Sequence, residues 1–394
     1  MKGMFVITLS RDNGFTLTEL MVAMTITLVV TGAALTTFQN ALAINDSAAQ
    51  LSDANQNLRA GTNQLIRDLL MAGRIIGTEG IAMPSGTGVQ SFLRPGPPGS
   101  VLTFPLIVDT DTTLNLPSIT TGYQLGPTIN GQPTDIVTLL TVDEFMPFIA
   151  TPPPSPPVSP PIEGTIAPDG TSVTLSATSP WLVGDTVNDV PPIQVGDLVF
   201  LKGPNGNAIQ TVTSTDSTHV YFASNSQYDW MHFNQNSAPA RPLAILKGST
   251  STTTAWTAKV TLFRALMITY YVDNVTKPGT PRLTRAINHC PSVATACPGL
   301  PFDPQALAGV VEDLDLSYDL VDGVNNPSNI PSLPFTVGSA PNQVTYNSNM
   351  IRKVNIHVGV RSEVMSKPAM DYVRNHISTA VDVRSLASVD RYVQ

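Results

Sequence analysis

A long, mainly apolar run near the start of the chain constrains the fold more than any other feature. It extends from Phe15 to Phe38, and these 24 positions would form about 36 Å of helix. A helix of that length crosses the roughly 30 Å hydrocarbon core of a bilayer with some tilt. No proline occurs from Met1 to Met83, so nothing obliges the helix to break. The sequence therefore predicts a membrane-spanning helix over residues 15–38.

Two ordinary interpretations of this run leave residues unexplained. A cleaved secretory signal needs a short apolar stretch and an Ala-x-Ala-type exit. Ala41-Leu42-Ala43 offers such an exit, but the run is long and the polar pair Arg11-Asp12 lies just before it. A plain signal anchor gives Glu19 no purpose, although a carboxylate costs about 2.5–3.5 kcal/mol at the centre of a membrane helix and less near the interface.

The heptad Gly14-Phe15-Thr16-Leu17-Thr18-Glu19-Leu20 favours a third interpretation. It resembles the class III (prepilin) signal, in which a short polar leader ends in Gly and an apolar helix follows. Thr18 stands where an aliphatic residue is usual, and the leader is more apolar than usual over Met4 to Leu9. Met4 is also an alternative start of translation. Residues 1–14 would then be the leader peptide.

The resemblance implies a role for three residues of the heptad. Prepilin peptidase would cut after Gly14, whose missing side chain lets a protease approach the scissile bond closely. The same enzyme would N-methylate the new amino terminus at Phe15. Glu19 lies one helical turn further on, and its carboxylate would pair with the Phe amine of a neighbouring subunit during assembly. The implied partners are prepilin peptidase, other major and minor pilins, the inner-membrane assembly platform, and membrane lipid before assembly.

Residues 39–75 continue the helical pattern but are amphipathic. Leu51, Leu58 and Leu65 recur every seven residues, with polar residues between them. We expect the helix to end near Met71, because glycines follow at 73 and 77. The stripe fits a coiled coil or a helix laid on a sheet equally well, and the resemblance favours the sheet. Gly32 and Gly61 are weak points, each costing about 1 kcal/mol relative to Ala.

Short alternating segments replace the helical pattern from about residue 76. The predicted strands are 101–104, 136–140, 172–175, 197–201, 208–213, 219–223, 259–273, 281–285, 310–318, 350–362 and 377–383. A turn at Gly203 to Asn207 would join two of them into a hairpin. Residues 151–161 form a Pro-rich loop that is interpreted as a solvated spacer, with a docking motif as the alternative.

The order of these segments resembles the head of PilW-like minor pilins, and J-class pseudopilins of type II secretion are near relatives. The resemblance rests on four stretches of the head: Gly196-Asp197, Tyr270 to Asp273 with Arg282 to Arg285, Val311 to Tyr318, and Ile351 to Ser362. It implies an α+β, pilin-like fold. A long helix would pack on an antiparallel β-rich head with long loops, covering residues 76–394. It also implies a single-pass inner-membrane protein with a periplasmic head, which moves to the filament or cell surface on assembly.

The distribution of charge indicates which classes of partner the protein could bind. The formal net charge of −8 gives no bulk attraction to nucleic acid, so a nucleic-acid partner is not expected. A tip-located head that binds surfaces or DNA is still an alternative, because basic residues concentrate in the tail. They are Arg352, Lys353, Arg361, Lys367, Arg374, Arg384 and Arg391, and a solvated strand face is the preferred interpretation.

In an oxidising compartment Cys290 and Cys297 are expected to form a disulfide, with two free buried thiols as the alternative.

The sequence contains no recognisable catalytic motif. Five histidines occur without metal-site spacing, and no nucleophile elbow, P-loop or dinucleotide fingerprint is present. We therefore expect a structural protein that is not an enzyme and that needs no cofactor or metal.

Overall fold

The computed structural model describes residues 16–108, 114–143, 162–177, 179–183, 192–235, 243, 246, 259–288, 303–366, 371–383 and 386. Its dominant element is helix α1, Leu17–Met71, which is 55 residues long and about 82 Å from end to end. The helix ends at Ala72, which is extended, and Gly73 follows at φ 75°. The predicted end of the helix near Met71 is confirmed, because the glycine conformation turns the chain there.

The described part of the head that follows consists mainly of strands and includes a short helix, α2, Pro180–Val183. In its first half the described strands are β1 Ile81–Met83, β2 Leu93–Pro95, β3 Val101–Thr103, β4 Ile107–Val108, β5 Leu114–Leu116, β6 Ile119–Gly122, β7 Thr128–Ile129, β8 Gln132–Pro133, β9 Ile136–Asp143, β10 Ile162–Ile166 and β11 Ser172–Thr174. In its second half they are β12 Leu198–Gly203, β13 Gly206–Thr211, β14 Ser214–Thr215, β15 His219–Tyr221, β16 Val260–Asp273, β17 Arg282–Ile287, β18 Asp303–Leu320, β19 Phe335–Val337, β20 Val344–Tyr346, β21 Ile351–Ser366 and β22 Asp371–Asp382. A 3-10 turn, Ser348–Met350, precedes β21.

Strand β16 is the central strand of the main sheet. It pairs antiparallel with β9, β10, β12 and β17 along different parts of its 14 residues. Beyond β17 the sheet continues through β18 and β21 to β22, again antiparallel throughout. Every predicted strand corresponds to an observed one, shifted by up to seven residues at its ends. The predicted α+β class, with a long helix on an antiparallel β-rich head, is therefore confirmed.

Helix α1 lies on the face of the sheet formed by β18, β21 and β22. Leu58, Leu65 and Leu69 are completely buried there against alternate residues of β21 such as Val354 and Val358. Apolar residues spaced by three or four positions share one face of the helix, and every second residue shares one face of a strand. These two apolar faces pack against each other. This is the sheet-packed alternative for the heptad stripe, and it forms the largest core of the head.

Among the described residues, the two larger of the remaining clusters of buried side chains lie away from the helix. One fills the lobe made by β10, β11, β12, β13 and β15. The other joins β1, β9, β12 and β13 and includes the partly stacked rings of Phe92 and Phe233. Between strands β2 and β6 the Arg94 side chain is buried, and it donates to the carbonyls of Thr103, Thr120 and Thr121. Burial lowers the pKa of Arg94 to about 10.

Candidate functional site: the apolar helix and its junction with the head

The N-terminal half of α1 starts with a capping box. The Thr16 backbone N–H donates to Glu19 Oε2 at 3.0 Å, and the Glu19 N–H donates to Thr16 Oγ1 at 3.3 Å. The Thr16 hydroxyl also donates to the same carboxylate at 2.8 Å. These bonds satisfy donors that any helix start leaves open. The predicted assembly residue Glu19 is thus exposed at the very start of the helix.

Thr16 is a site residue that the heptad pattern alone did not single out. A signal was available, since Ser or Thr followed three residues later by Glu or Gln is the usual signature of a capping box. Gly14 and Phe15, predicted as the cleavage and methylation positions, lie outside the described residues. So do Cys290 and Cys297, and so does the Pro-rich loop 151–161.

The segment that follows the cap, Leu17 to Leu42, presents only exposed residues, and we call it the anchor segment. It is uncharged from Leu20 to Leu42 and belongs to the one described helix long and apolar enough to cross a membrane. Threonine hydroxyls within it donate hydrogen bonds to backbone carbonyls one turn earlier, as Thr27 does to Ala23 at 2.8 Å, so they need no partner outside the helix. A surface this apolar needs a cover from outside the chain.

The other end of α1 is fixed to the head by a buried ion cluster, the junction cluster of Asp68, Tyr270 and Arg285. The Tyr270 hydroxyl and the Arg285 Nε both donate to Asp68 Oδ2 at 2.5 Å. Gln64 donates to the other carboxylate oxygen at 3.2 Å. Burial, followed by the negative charge of Asp68, raises the pKa of Tyr270 far above its usual range. The cluster therefore holds the helix to β16 and β17 in one fixed orientation.

Close packing and backbone bonds add to this junction. An added Cβ at Gly61 would lie only 3.0 Å from the Cβ of Ala308 on β18, so Gly61 permits the close approach of helix and sheet. The Thr141 hydroxyl donates to the last helical carbonyl, that of Met71, at 3.1 Å. The Gly73 N–H donates to the Leu140 carbonyl at 2.9 Å. The glycine expected to weaken the helix thus has a packing role.

The opposite face of the β18–β21–β22 sheet carries a polar groove. Asp135, Asp313, His357 and Asn355 are among its lining residues. Asp135 is not free to act there, because its two carboxylate oxygens accept the backbone N–H groups of Gln124 and Leu316 at 2.7 and 2.8 Å. Burial raises its pKa to about 6, against the lowering effect of those bonds. Within the described ranges no group of three His, Cys, Asp or Glu side chains is placed to hold a metal ion.

The basic residues predicted to crowd the tail are mostly paired where the structure describes them. Arg361 and Arg374 both bond Glu312, with Nε atoms 2.9 Å from its oxygens. Lys353 lies 3.7 Å from Asp319. Lys367, Arg384 and Arg391 lie outside the described residues. The described basic residues thus favour the solvated strand face over a positively charged binding patch.

Comparison with known proteins bears on the N-terminal segment. The family model described as the prokaryotic N-terminal methylation motif matches residues 9–35, which include the cap, Glu19 and much of the anchor segment. No curated protein and no solved structure matches the chain. The motif, the exposed apolar helix and the β-rich head together support a protein of pilin or pseudopilin type, processed by prepilin peptidase and anchored in a membrane.

Proposed function

We propose that this protein is a minor pilin that takes part in the assembly or initiation of a type IV pilus. Prepilin peptidase cuts after Gly14 and methylates Phe15, and the retained helix holds the head in the periplasm until assembly. The observation that carries the proposal is the helix itself: an exposed apolar half that matches the methylation motif is continuous with a half fixed in a large head.

The size of the head supports a minor role. The head begins at about residue 76 of 394, so it is bulky compared with the single helix that would enter the filament core. Such a head is difficult to repeat at every position of a thin fibre, and it suits a subunit at the tip or in the priming complex. A J-class pseudopilin of a type II secretion system has the same general arrangement and is the alternative.

Deletion of the gene tests the proposal and separates the alternatives. We expect a loss or strong reduction of surface pili and of twitching motility, with secretion of exoproteins unchanged. Loss of secretion with normal pili would assign the protein to the secretion system. Unchanged pili, motility and secretion would contradict both assignments.

Complementation of the deletion refines the test to one residue. A Glu19→Gln variant should be cleaved and methylated normally but should fail to restore pili, because the carboxylate that pairs with a neighbouring amine is lost. The matched control is Asp46→Asn, which alters the first charged residue after the anchor segment and should restore pili fully. Full rescue by the Glu19 variant would remove that residue from assembly.

A further inference from the structure

An exposed apolar patch lies at the end of the head from which the anchor segment emerges. Val364 and Met365 at the end of β21 are 60% and 49% exposed, and Tyr372 on β22 pairs with Met365. The β16–β17 turn lies beside them and carries Val275, which is 56% exposed. We call Val275, Val364, Met365 and Tyr372 the basal patch.

Polar contacts hold the parts of the basal patch together. Arg361 donates to the Gly279 carbonyl of the turn at 2.7 Å, and its guanidinium stacks 3.9 Å above the Tyr372 ring. Lys277 of the turn lies 3.7 Å from Glu363. The apolar tips therefore form one surface, and the ion pairs of Lys277 with Glu363 and of Arg361 with Glu312 lie beside it.

The height of the patch along the helix follows from contacts between α1 and β22. Asn55 on the helix bonds Asn375 on β22, while Leu386, after the strand, lies close to Gly73 at the helix end. Strand and helix therefore run in the same direction. Tyr372 precedes Asn375 by three residues, or about 10 Å, which equals about seven helical residues. The patch thus lies near the level of Ala48.

Ala48 lies three residues, or about 5 Å, beyond Asn45, so the patch lies close to the membrane boundary set by the helix. The chain is uncharged from Leu20 to Asn45. About 20 of these residues fill the 30 Å hydrocarbon core, and the remainder cross a headgroup layer of roughly 5–8 Å. Gln50 and Asp53 of the helix line one cavity together with Glu363 and Val364, so the end of β21 lies beside the part of the helix just above this layer.

We infer that the basal patch rests on the phospholipid headgroup layer while the protein is anchored as a membrane subunit. The inference rests on the proposed function, because it requires the anchor segment to span a bilayer. Tyrosine is favoured in the interfacial layer. The charges of Lys277 and Arg361 beside the patch are paired with Glu363 and Glu312, so the contact rests on Tyr372 and the apolar side chains. The contact fixes the tilt of the head until the subunit leaves the membrane.

Site-specific fluorescence on the full chain tests this inference. Single cysteines are introduced as Met365→Cys, Val337→Cys or Leu28→Cys in a Cys290→Ser, Cys297→Ser background, and each is labelled with an environment-sensitive dye. The proteins are reconstituted in vesicles of phosphatidylethanolamine and phosphatidylglycerol that carry a quencher on either the headgroup or the acyl chain. Val337 is the matched control, since it is 46% exposed but lies on β19, near the far end of β21.

Three outcomes are distinguishable. We expect acyl-chain quenching at 28, headgroup quenching with a blue-shifted emission at 365, and neither effect at 337. If position 28 is quenched but 365 stays as unquenched as 337, the basal contact is wrong and the anchored helix stands. If position 28 is not quenched, the anchor itself fails, and the proposed function and this inference both fall.

Discussion

The two halves of helix α1 belong to one continuous element but have opposite surroundings. In the anchor segment every residue from Leu17 to Leu42 is exposed, whereas Leu58, Leu65 and Leu69 are completely buried on the sheet. The first half has no ionisable group after Glu19, while the second half places Asp68 in a buried ion cluster. The second half thus buries its apolar residues within the chain, whereas the anchor segment needs lipid or neighbouring subunits to cover its apolar surface. Substitutions matched between the halves measure this difference.

The largest difference is expected at the junction cluster. Asp68→Ala leaves Arg285 buried without its carboxylate, and the free energy of unfolding of the head should fall by about 3–5 kcal/mol. Asp53→Ala on the same helix removes an exposed carboxylate and should change it by no more than about 0.5 kcal/mol. Urea denaturation of both variants provides the comparison. Equal stability of the two would show that the cluster does not fix the helix.

Leucine truncation compares the halves with identical chemistry. Leu65→Ala opens a cavity between helix and sheet and should cost about 2–5 kcal/mol. Leu28→Ala, at an exposed position of the anchor segment, should leave the unfolding of the head unchanged. Thermal unfolding in detergent measures both. A comparable loss from Leu28→Ala would mean that the anchor segment packs on the head.

Glycine substitution tests how closely the helix approaches the sheet. Gly61→Leu must displace Ala308 and should destabilise the head by about 1–3 kcal/mol. Gly32→Leu places its side chain where no other atom lies within 4 Å and should have no such effect. The two variants are compared by the urea midpoint. A neutral Gly61→Leu variant would argue against the close packing at β18.

The smallest expected effect is a dependence on pH that arises in the head alone. Burial raises the pKa of Asp135 and of Asp229 to about 6, above the ordinary 3.8. Between these values the folded state holds more protons than the unfolded state, so stability should fall as pH rises from about 4 to 6 and level off above. At still lower pH the lowered pKa values of Asp216 and Asp322 act in the opposite sense.

An Asp229→Asn variant isolates this effect. The decline in unfolding free energy between pH 4 and 6 should become shallower by on the order of 1–2 kcal/mol, since one pKa unit corresponds to about 1.4 kcal/mol. Denaturation at several pH values provides the slope, which is compared with that of the parent protein. An unchanged slope would show that Asp229 titrates at its ordinary value in the folded head.

The sequence predicted the elements of this protein better than their arrangement. The helix end near Met71 was predictable because Gly73 follows, and β16 because apolar and β-branched residues dominate 14 positions without a Gly or Pro. Neither pattern tells which strands become neighbours, so the central position of β16 was not foreseen. The junction cluster was equally hidden, since Asp68 is separated from Tyr270 by 202 positions and from Arg285 by 217. Such contacts depend on the tertiary fold, whereas the Thr16 cap was within reach of a local pattern.

Mass spectrometry of the amino-terminal peptide, taken from the protein purified from its native membrane, tests the central claim most directly. A retained anchor segment processed by prepilin peptidase predicts a mature chain that begins at N-methylated Phe15. A chain that begins after Ala43 would show that the apolar helix is a discarded secretory signal. An unmethylated chain that still carries the residues before Gly14 would show a plain signal anchor, and either result would contradict the account.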